Sequence, residues 1–222
     1  MKRTVIIIGA TGGIGEVLYD QYLRESLVNK DIDHVIGTSR KLPACLDITN
    51  PKDCDDFVDM TMVLSSNLQI INCAGINYNA TISKSQDNKW WEVVEVNLLG
   101  SYNLLKAFTP IMKEQKYGRF MFMSSVAVKG LYGASAYSAS KAGLEGLVKS
   151  AAKELLKYNI TVNSLRLGYF NTGLIRDVPK GKVEELSTAG EICAPTGLFD
   201  VIEGVFKCKD MTGSIINVDR GI

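Results

Sequence analysis

Short apolar runs alternate along the chain with longer segments in which apolar side chains recur every three or four positions. The apolar runs, rich in β-branched residues, predict strands at residues 5–8, 34–37, 68–73, 120–123, 161–165 and 214–218. The periodic segments predict helices at about residues 14–27, 90–112 and 136–158. Short apolar strands that alternate with amphipathic helices are typical of a parallel sheet covered on both faces. The predicted fold class is therefore α/β, a doubly wound parallel sheet in three layers.

The chain has no Pro-rich or Gly-rich linker and no internal repeat, and its 222 residues suit one α/β domain. We therefore expect a single domain over residues 1–222. Residues 179–203 mix charges, Gly and two prolines, which predicts a loop with short helical pieces. Loops at the carboxyl ends of parallel strands are where such folds bind ligands.

Charge is nearly balanced, with 25 Lys and Arg against 24 Asp and Glu. This balance argues against nucleic acid or an anionic membrane as a partner, since both require clustered positive charge. The sequence contains no apolar run of about 20 residues and no signal-peptide pattern, so we expect a cytoplasmic protein without a membrane span.

Cysteine and histidine usage narrows the chemistry further. The five cysteines are widely spaced and form no CxxC pair, so we expect reduced thiols and neither disulfides nor a metal site. The single histidine, His34, falls in a predicted strand, and the chain has no GxSxG motif. Histidine-dependent hydrolysis is therefore disfavoured.

A glycine-rich loop, with glycines at positions 9, 13 and 15, separates the first strand from the first helix. Such a loop lets a pyrophosphate approach the amino end of the helix, where backbone N–H groups and the helix dipole favour negative charge. The alternative is a tight turn that binds nothing. The position between strand and helix favours dinucleotide binding.

This loop resembles the TGxxxGIG loop of the short-chain dehydrogenase/reductase family, with Thr11 shifted in register. Other motifs of that family follow in order: Asn72-Cys73-Ala74-Gly75 for NNAG, Asn97 in the central helix, Ser124-Ser125, Tyr137 and Lys141 for YxxxK, Gly168 to Thr172, and Met211-Thr212-Gly213 with Val218-Asp219. Cys73, Leu167 and Arg220 depart from the pattern, where the family has Asn, Pro and Gly. YxxxK alone is a weak signal, whereas the ordered set covers almost the whole chain. It implies a Rossmann-type fold and an enzyme similar to the 3-oxoacyl reductases.

The resemblance implies a catalytic set of Asn97, Ser125, Tyr137 and Lys141. Tyr137 and Lys141 are four residues apart and so share a helix face. Lowering a tyrosine pKa from about 10 to neutrality requires roughly 4 kcal/mol, which a nearby ammonium and a positively charged nicotinamide would supply. By resemblance, Tyr137 protonates the carbonyl oxygen and Lys141 also holds the ribose hydroxyls. Ser125 bonds the substrate oxygen, with Ser124 assigned to the strand end, and Asn97 positions a water.

The resemblance also implies the cofactor contacts. They are Gly9, Thr11, Gly13, Ile14, Gly15, Asp47, Ile48, Asn72, Ala74, Gly75, Tyr137, Lys141 and Thr172. The second strand ends in residues 37–41 without the carboxylate that binds the ribose of NAD. Ser39 and Arg40 there suit a 2′-phosphate, so we expect NADP(H), with NAD less favoured.

The connection after the second strand is unusually short. Only residues 41–43 separate Arg40 from the segment that leads to Asp47-Ile48, which resembles the family's adenine-contacting pair. A parallel crossover needs about a dozen residues. We therefore expect that the helix after the second strand is deleted and that the outer strand is short or absent, with Asp47 still reaching the adenine side.

Taken together, these features predict an NADP(H)-dependent oxidoreductase that interconverts a carbonyl and a secondary alcohol by hydride transfer, with a tyrosine acid/base. Two alternatives are a nucleotide-sugar-modifying relative and a catalytically silent NADP-binding regulator. The substrate walls are expected from residues 76–82, residues 126–135 and the loop after Thr172, with Tyr132, Tyr169 and Phe170 as candidate lining. The helices at residues 90–112 and 136–158 correspond to those through which family members assemble, so we expect a homodimer or homotetramer.

Overall fold

A computed structural model describes residues 2–42, 45–62, 67–172 and 192–221. Its six strands form one parallel sheet in the order β2-β1-β3-β4-β5-β6. The strands are β1 Arg3–Ile8, β2 Ile32–Thr38, β3 Leu68–Asn72, β4 Gly118–Ser125, β5 Ile160–Leu167 and β6 Ile215–Val218. This arrangement confirms the predicted parallel α/β sheet.

The described part of the chain has six α-helices. They are α1 Gly13–Ser26, α2 Pro51–Met62, α3 Asp87–Val94, α4 Gly100–Gln115, α5 Ser135–Leu155 and α6 Leu198–Lys207. The helix predicted at residues 90–112 is α3 and α4 joined by a π-helical segment, Glu95–Leu99. Helix α6 begins within the segment 179–203, which was predicted as a loop with short helical pieces, and continues beyond it; residues 179–191 of that segment are outside the described residues.

Two apolar clusters cover the two faces of the sheet. Along β1, Ile6 and Ile8 face the cluster formed with α2, α4 and α5, while Val5 and Ile7 face the cluster formed with α1 and α6. Alternation follows from the two-residue period of a strand. Because both faces are covered, every residue of β1 is buried, and the strand is a continuous apolar run from Val5 to Ile8.

The connection from β2 to β3 is partly as expected. Neither a helix nor a strand occurs in residues 39–42 or 45–50, and β2 has a partner only on its β1 side within the described sheet. The outer strand, which was expected to be short or absent, is thus absent from these residues. A helix does follow Asp47, however, because α2 spans Pro51–Met62, so the prediction that the helix after the second strand is deleted holds only for the stretch before Asp47.

A buried polar cluster fixes α6 at the amino ends of the strands. Arg3 at the start of β1 donates from Nη1 and Nη2 to the carboxylate oxygens of Glu203, at 2.8 and 2.9 Å. Tyr22 on α1 donates to the same carboxylate at 2.9 Å, and Arg3 Nη1 also donates to Gln69 Oε1 at 2.8 Å. The ion pair thereby joins α1, α6 and the sheet.

Among the described helices, none is long and apolar enough to cross a membrane.

Candidate active site

A cavity of about 560 Å³ opens at the carboxyl ends of β1, β3, β4 and β5, the edge at which doubly wound sheets bind ligands. The amino end of α1, the first turn of α5 and the loop after β4 contribute to its lining. The side chains of Ser125, Tyr137 and Lys141 line it together with Thr172. Three of the four predicted catalytic residues thus share one cavity.

Ser125 and Tyr137 are in direct contact. Ser125 is the last residue of β4, and its hydroxyl makes a side-chain hydrogen bond with the Tyr137 hydroxyl. Ser125 Oγ also accepts a hydrogen bond from the backbone N–H of Ala127 at 3.2 Å, which caps the short 3₁₀ turn that follows the strand. The two hydroxyl groups therefore form a pair that a carbonyl oxygen in the cavity can approach.

Lys141 is buried one helical turn beyond Tyr137. Its Nζ donates to the backbone oxygen of Met123 at 2.7 Å and lies 5.5 Å from the centroid of the Tyr137 ring. Burial lowers the pKa of Lys141 to about 8, and the neighbouring Cys73 opposes this shift. The ammonium is therefore held by a backbone carbonyl and is easier to deprotonate than an exposed lysine.

The pKa of Tyr137 is raised, because the cost of burying a phenolate exceeds the stabilisation from the Ser125 hydrogen bond. The expected lowering depends on the Lys141 ammonium together with a positively charged nicotinamide, and it stays a prediction for the protein with cofactor bound. A raised pKa keeps the hydroxyl protonated at neutral pH. Tyr137 is thus in the state needed to donate a proton to a carbonyl oxygen.

Asn97 lies in the π-helical segment and acts on the backbone. Its Oδ1 accepts from the N–H of Ile76 at 2.9 Å, and its Nδ2 donates to the oxygen of Ile76 and to Ser140 Oγ, both at 3.0 Å. A Cβ at the neighbouring Gly75 would lie 3.2 Å from Asn97 Oδ1 and 3.5 Å from Lys141 Nζ. Asn97 therefore fixes the chain beside Lys141 through the loop after β3.

Ser124 is turned away from the cavity's hydroxyl pair. Its hydroxyl donates to Glu145 Oε1 at 2.8 Å, and Glu145 in turn accepts from Arg166 Nε at 2.9 Å and from Nη2 at 2.6 Å. This confirms the placement of Ser124 as a strand-end residue. The network joins α5 to β4 and β5 beneath the site, and no spacing in the sequence indicates it.

A second cavity, of about 180 Å³, adjoins the first along the glycine loop. Gly12, Cys73 and Gly75 line both cavities, so the two form one cleft. Of the predicted cofactor contacts, those that line the second cavity are Gly9, Thr11, Ser39, Arg40, Asp47, Ile48, Ala74 and Gly75. Those that line the first are Gly13, Ile14, Gly75, Tyr137, Lys141 and Thr172.

Two predicted contacts do not line either cavity. Asn72 is buried, where it donates to Ser101 Oγ at 3.1 Å and accepts from the N–H of Ala74 at 3.0 Å. A Cβ at Gly15 would lie 2.2 Å from the oxygen of Gly9, so this glycine lets the helix pack on its own loop. Both residues support the loops that line the cleft without lining it themselves.

Gly13 makes close contact with Thr172. A Cβ at Gly13 would lie 2.6 Å from the Cβ of Thr172. The segment after β5 therefore passes so close to Gly13 that a larger residue would clash with it, whether or not a ligand is bound. Gly9 has a φ of +80°, a backbone conformation that favours glycine, and it begins the turn.

The aromatic candidates for the substrate wall separate into two groups. Tyr169 and Phe170 line the larger cavity. Tyr132 is 91% exposed and does not line it. Within the described residues, no three His, Cys, Asp or Glu side chains group closely enough to hold a metal ion, and all five cysteines are free thiols.

Comparison with known proteins gives the context for this geometry. Residues 3–182 match a family model described as short chain dehydrogenase. The chain is 28% identical to the 3-oxoacyl-(acyl-carrier-protein) reductase of Thermotoga maritima, covering 99% of this chain and 97% of that protein. It is also 28% identical to carbonyl reductase family member 4 of Danio rerio, covering 100% and 98% of the two chains.

Solved structures show the same fold at lower identity. A structure described as ElxO with NADP bound superposes with a TM-score of 0.90 at 20% identity, covering 100% of this chain and 98% of that one. Aldohexose dehydrogenase of Thermoplasma acidophilum, ligand-free, gives a TM-score of 0.88 at 24% identity and covers 99% and 93%.

The lowered pKa of Lys141 predicts a pH-dependent stability. The pKa falls from an ordinary value of 10.5 to about 8 on folding, so at pH values between these the unfolded chain binds a proton that the folded chain does not. The free energy of unfolding therefore rises with pH in this window. Relative to Lys141→Met, the wild type without cofactor should gain about 2 kcal/mol between pH 7 and pH 10 in chemical denaturation.

Lys153→Met serves as the control, since Lys153 is exposed on the same helix. Its unfolding free energy should follow that of the wild type across the same pH range. Parallel pH profiles for the wild type and Lys141→Met would contradict the lowered pKa.

Proposed function

The chain belongs to the short chain dehydrogenase family and is an oxidoreductase of carbonyl and CH–OH groups; from this premise we propose that it uses NADPH to reduce a carbonyl to a secondary alcohol, with Tyr137 as the proton donor. The observation that carries the proposal is the contact of Ser125 with Tyr137 in a cavity that Lys141 also lines. That cavity is continuous with a second one beside a glycine loop.

The residues of the cleft fit a dinucleotide. The amino end of α1 presents first-turn N–H groups that have no partner within the helix, and Gly12 next to them has no side chain. A Cβ at Gly75 would fill the gap in front of Lys141 Nζ, so the glycine leaves that ammonium open to ribose hydroxyls. When bound, the cofactor supplies the hydride. The chain supplies the position, the proton and the polar contacts to the carbonyl oxygen.

Proton transfer follows from the contacts around Tyr137. Ser125 and Tyr137 hold the carbonyl oxygen between their hydroxyl groups, and Tyr137 donates its proton as negative charge develops there. Lys141, whose Nζ is near the Tyr137 ring, stabilises the resulting phenolate. Burial keeps the tyrosine protonated beforehand, which suits the direction of reduction.

Preference for NADPH rests on the smaller cavity. Ser39, Arg40 and Lys41 follow β2 and line it, opposite Asp47 and Ile48. The Asp47 carboxylate is engaged through Oδ1, which accepts from the N–H and the hydroxyl of Thr49 at 3.0 and 2.8 Å. Two cationic side chains and a hydroxyl at the end of β2 suit the 2′-phosphate of NADP(H).

The substrate enters the larger cavity, away from Arg40. Its walls combine the loop after β3, the 3₁₀ turn after β4, and Tyr169 with Phe170 after β5. Val126 and Leu131 add apolar surface on the side of β4. The cavity thus suits a small or medium-sized carbonyl compound.

We propose that the enzyme is a homodimer or homotetramer. Trp91 on α3, Leu99 in the π-helical segment and Tyr102 on α4 are 58%, 44% and 47% exposed. Large apolar side chains exposed together on one helical stretch are favoured at subunit interfaces. Light scattering at micromolar concentration should give two or four chain masses, and a stable monomer would refute the proposal.

Removing the Tyr137 hydroxyl tests the proton donor. Tyr137→Phe keeps the ring, so NADPH binding should persist while ketone reduction falls by about 10²–10⁴-fold. NADPH oxidation with a panel of ketones and NADPH fluorescence titration measure the two effects. Tyr132→Phe, the same substitution at a 91% exposed side chain outside the cavity, should retain activity. Near-normal turnover by Tyr137→Phe would rule out its role as the acid.

Arg40→Ala tests the choice of cofactor. A charge-assisted contact to the 2′-phosphate is worth about 1.5–3 kcal/mol, so NADPH affinity should fall roughly ten- to a hundredfold while NADH affinity hardly changes. Dissociation constants for both cofactors at two salt concentrations measure this. Lys41 is adjacent, so the double variant with Lys41→Ala belongs in the experiment.

Arg24→Ala is the matched control, because Arg24 is exposed on α1 away from the cleft. It should leave both affinities unchanged. Equal weakening of NADPH and NADH by Arg40→Ala, or a wild-type preference for NADH, would contradict the assignment.

A further inference from the structure

We propose that Asn77 makes the site selective for carbonyl substrates that carry a neutral hydrogen-bond donor, a hydroxyl or an amide N–H, near the carbonyl group. The inference rests on the proposed function, because it concerns what occupies the same cavity. It names a feature of the substrate that the catalytic residues themselves do not select.

Asn77 lies in the wall of the larger cavity, which Ser125, Tyr137 and Lys141 also line. Its Nδ2 donates to Asn79 Oδ1 at 3.1 Å. Its Oδ1 is buried and has no hydrogen-bond partner within the described residues. A residue of the wall therefore carries a hydrogen-bond acceptor that the described part of the chain leaves unused.

The backbone around Asn77 is held on both sides. Ile76 before it exchanges two hydrogen bonds with the Asn97 amide, at 2.9 and 3.0 Å. Ala80 after it donates from its N–H to the oxygen of Gly133 at 2.7 Å. With Nδ2 bonded to Asn79, the acceptor is placed before a substrate arrives. Such preorganisation lowers the entropy cost of binding.

The energetics favour a donor over an acceptor in the ligand. A buried polar atom without a partner loses the solvation it had in water, so a ligand donor that reaches it restores a hydrogen bond. An ether or ester oxygen at the same place would set two acceptors against each other. Sites that bond a substrate OH or NH reject analogues that lack it.

The charge around the cavity excludes the other common donor, an ammonium group. Lys129 and Lys141 both line the cavity, and a third cation there would be repelled. Asn77 does not line the smaller cavity that contains Arg40 and Asp47. The expected partner of Asn77 is thus a neutral donor on the substrate.

Two matched pairs of probes test the inference. Acetoacetanilide and phenyl acetoacetate differ by N–H against O beside the same 3-oxo group, and 4-hydroxy-2-butanone and 2-pentanone differ by a hydroxyl against a methyl. For each pair, the ratio of kcat/KM with NADPH is measured in the wild type and in Asn77→Leu, which removes the amide at similar volume. In at least one pair the donor preference should fall about three- to tenfold in the variant, the value of one neutral hydrogen bond.

Three further variants secure the comparison. Asn77→Asp keeps an acceptor oxygen and should keep the donor preference, and Asn77→Ala replaces Asn77→Leu if the latter does not fold. Asn217→Leu is the control, since Asn217 is exposed on β6 and lines neither cavity. Its probe ratios should equal those of the wild type.

A change of less than threefold in both pairs overturns the inference. So does a loss of NADPH affinity in Asn77→Leu with unchanged probe ratios, which would place Asn77 on the cofactor. Turnover without donor selectivity leaves the proposed function standing. If no probe is reduced, isothermal titration compares their binding to the protein with NADP⁺: donor preference that depends on Asn77 supports the inference although the proposed function fails, and equal affinities overturn it.

Discussion

The site depends on one side-chain amide, that of Asn97. Three segments meet there, because its hydrogen bonds join the loop after β3 to the π-helical segment and to Ser140 on α5. In a regular α-helix the residues after Glu95 would point in other directions than they do after the π-helical segment. Such π-helical turns are frequent at functional sites. The bonds to Ile76 also set the path of Gly75 past the Lys141 ammonium. Lys141, the open cleft and the unused acceptor of Asn77 therefore share one support.

What the sequence predicted well was the part governed by local pattern. The strands are apolar runs because both sheet faces are covered. Three of the four predicted catalytic residues share one cavity because β4 ends with Ser125 at the edge of the sheet where α5, with Tyr137 and Lys141, begins. Helix α2 was missed because its core positions Cys54, Phe57 and Val58 are interspersed with four aspartates, at positions 53, 55, 56 and 59. The π-helical segment was missed because one added residue per turn leaves almost no trace in apolar periodicity.

The remaining differences come from contacts between distant residues. Arg166 and Glu145, separated by 21 positions, form an ion pair beneath the site, and Arg3 and Glu203 are separated by 200. No spacing rule links such pairs. The raised pKa of Tyr137 has the same origin, since burial was set by the packing of several segments while the sequence showed only the lysine four residues away. Charge partners are visible in a sequence, but desolvation is not.

Arg220 shows how a departure from the family pattern is accommodated. It stands where the resembling motif has glycine, and its φ of +55° is in the left-handed region, which costs a non-glycine residue about 1–2 kcal/mol. Its side chain hydrogen-bonds with Cys193, which is itself held by backbone bonds to Tyr169 and Asn171. The arginine thus adopts a less favourable backbone conformation than glycine would, and its side chain makes a contact that glycine cannot make. That contact ties the residues after β6 to Cys193, which pairs with Phe170 in the wall of the larger cavity.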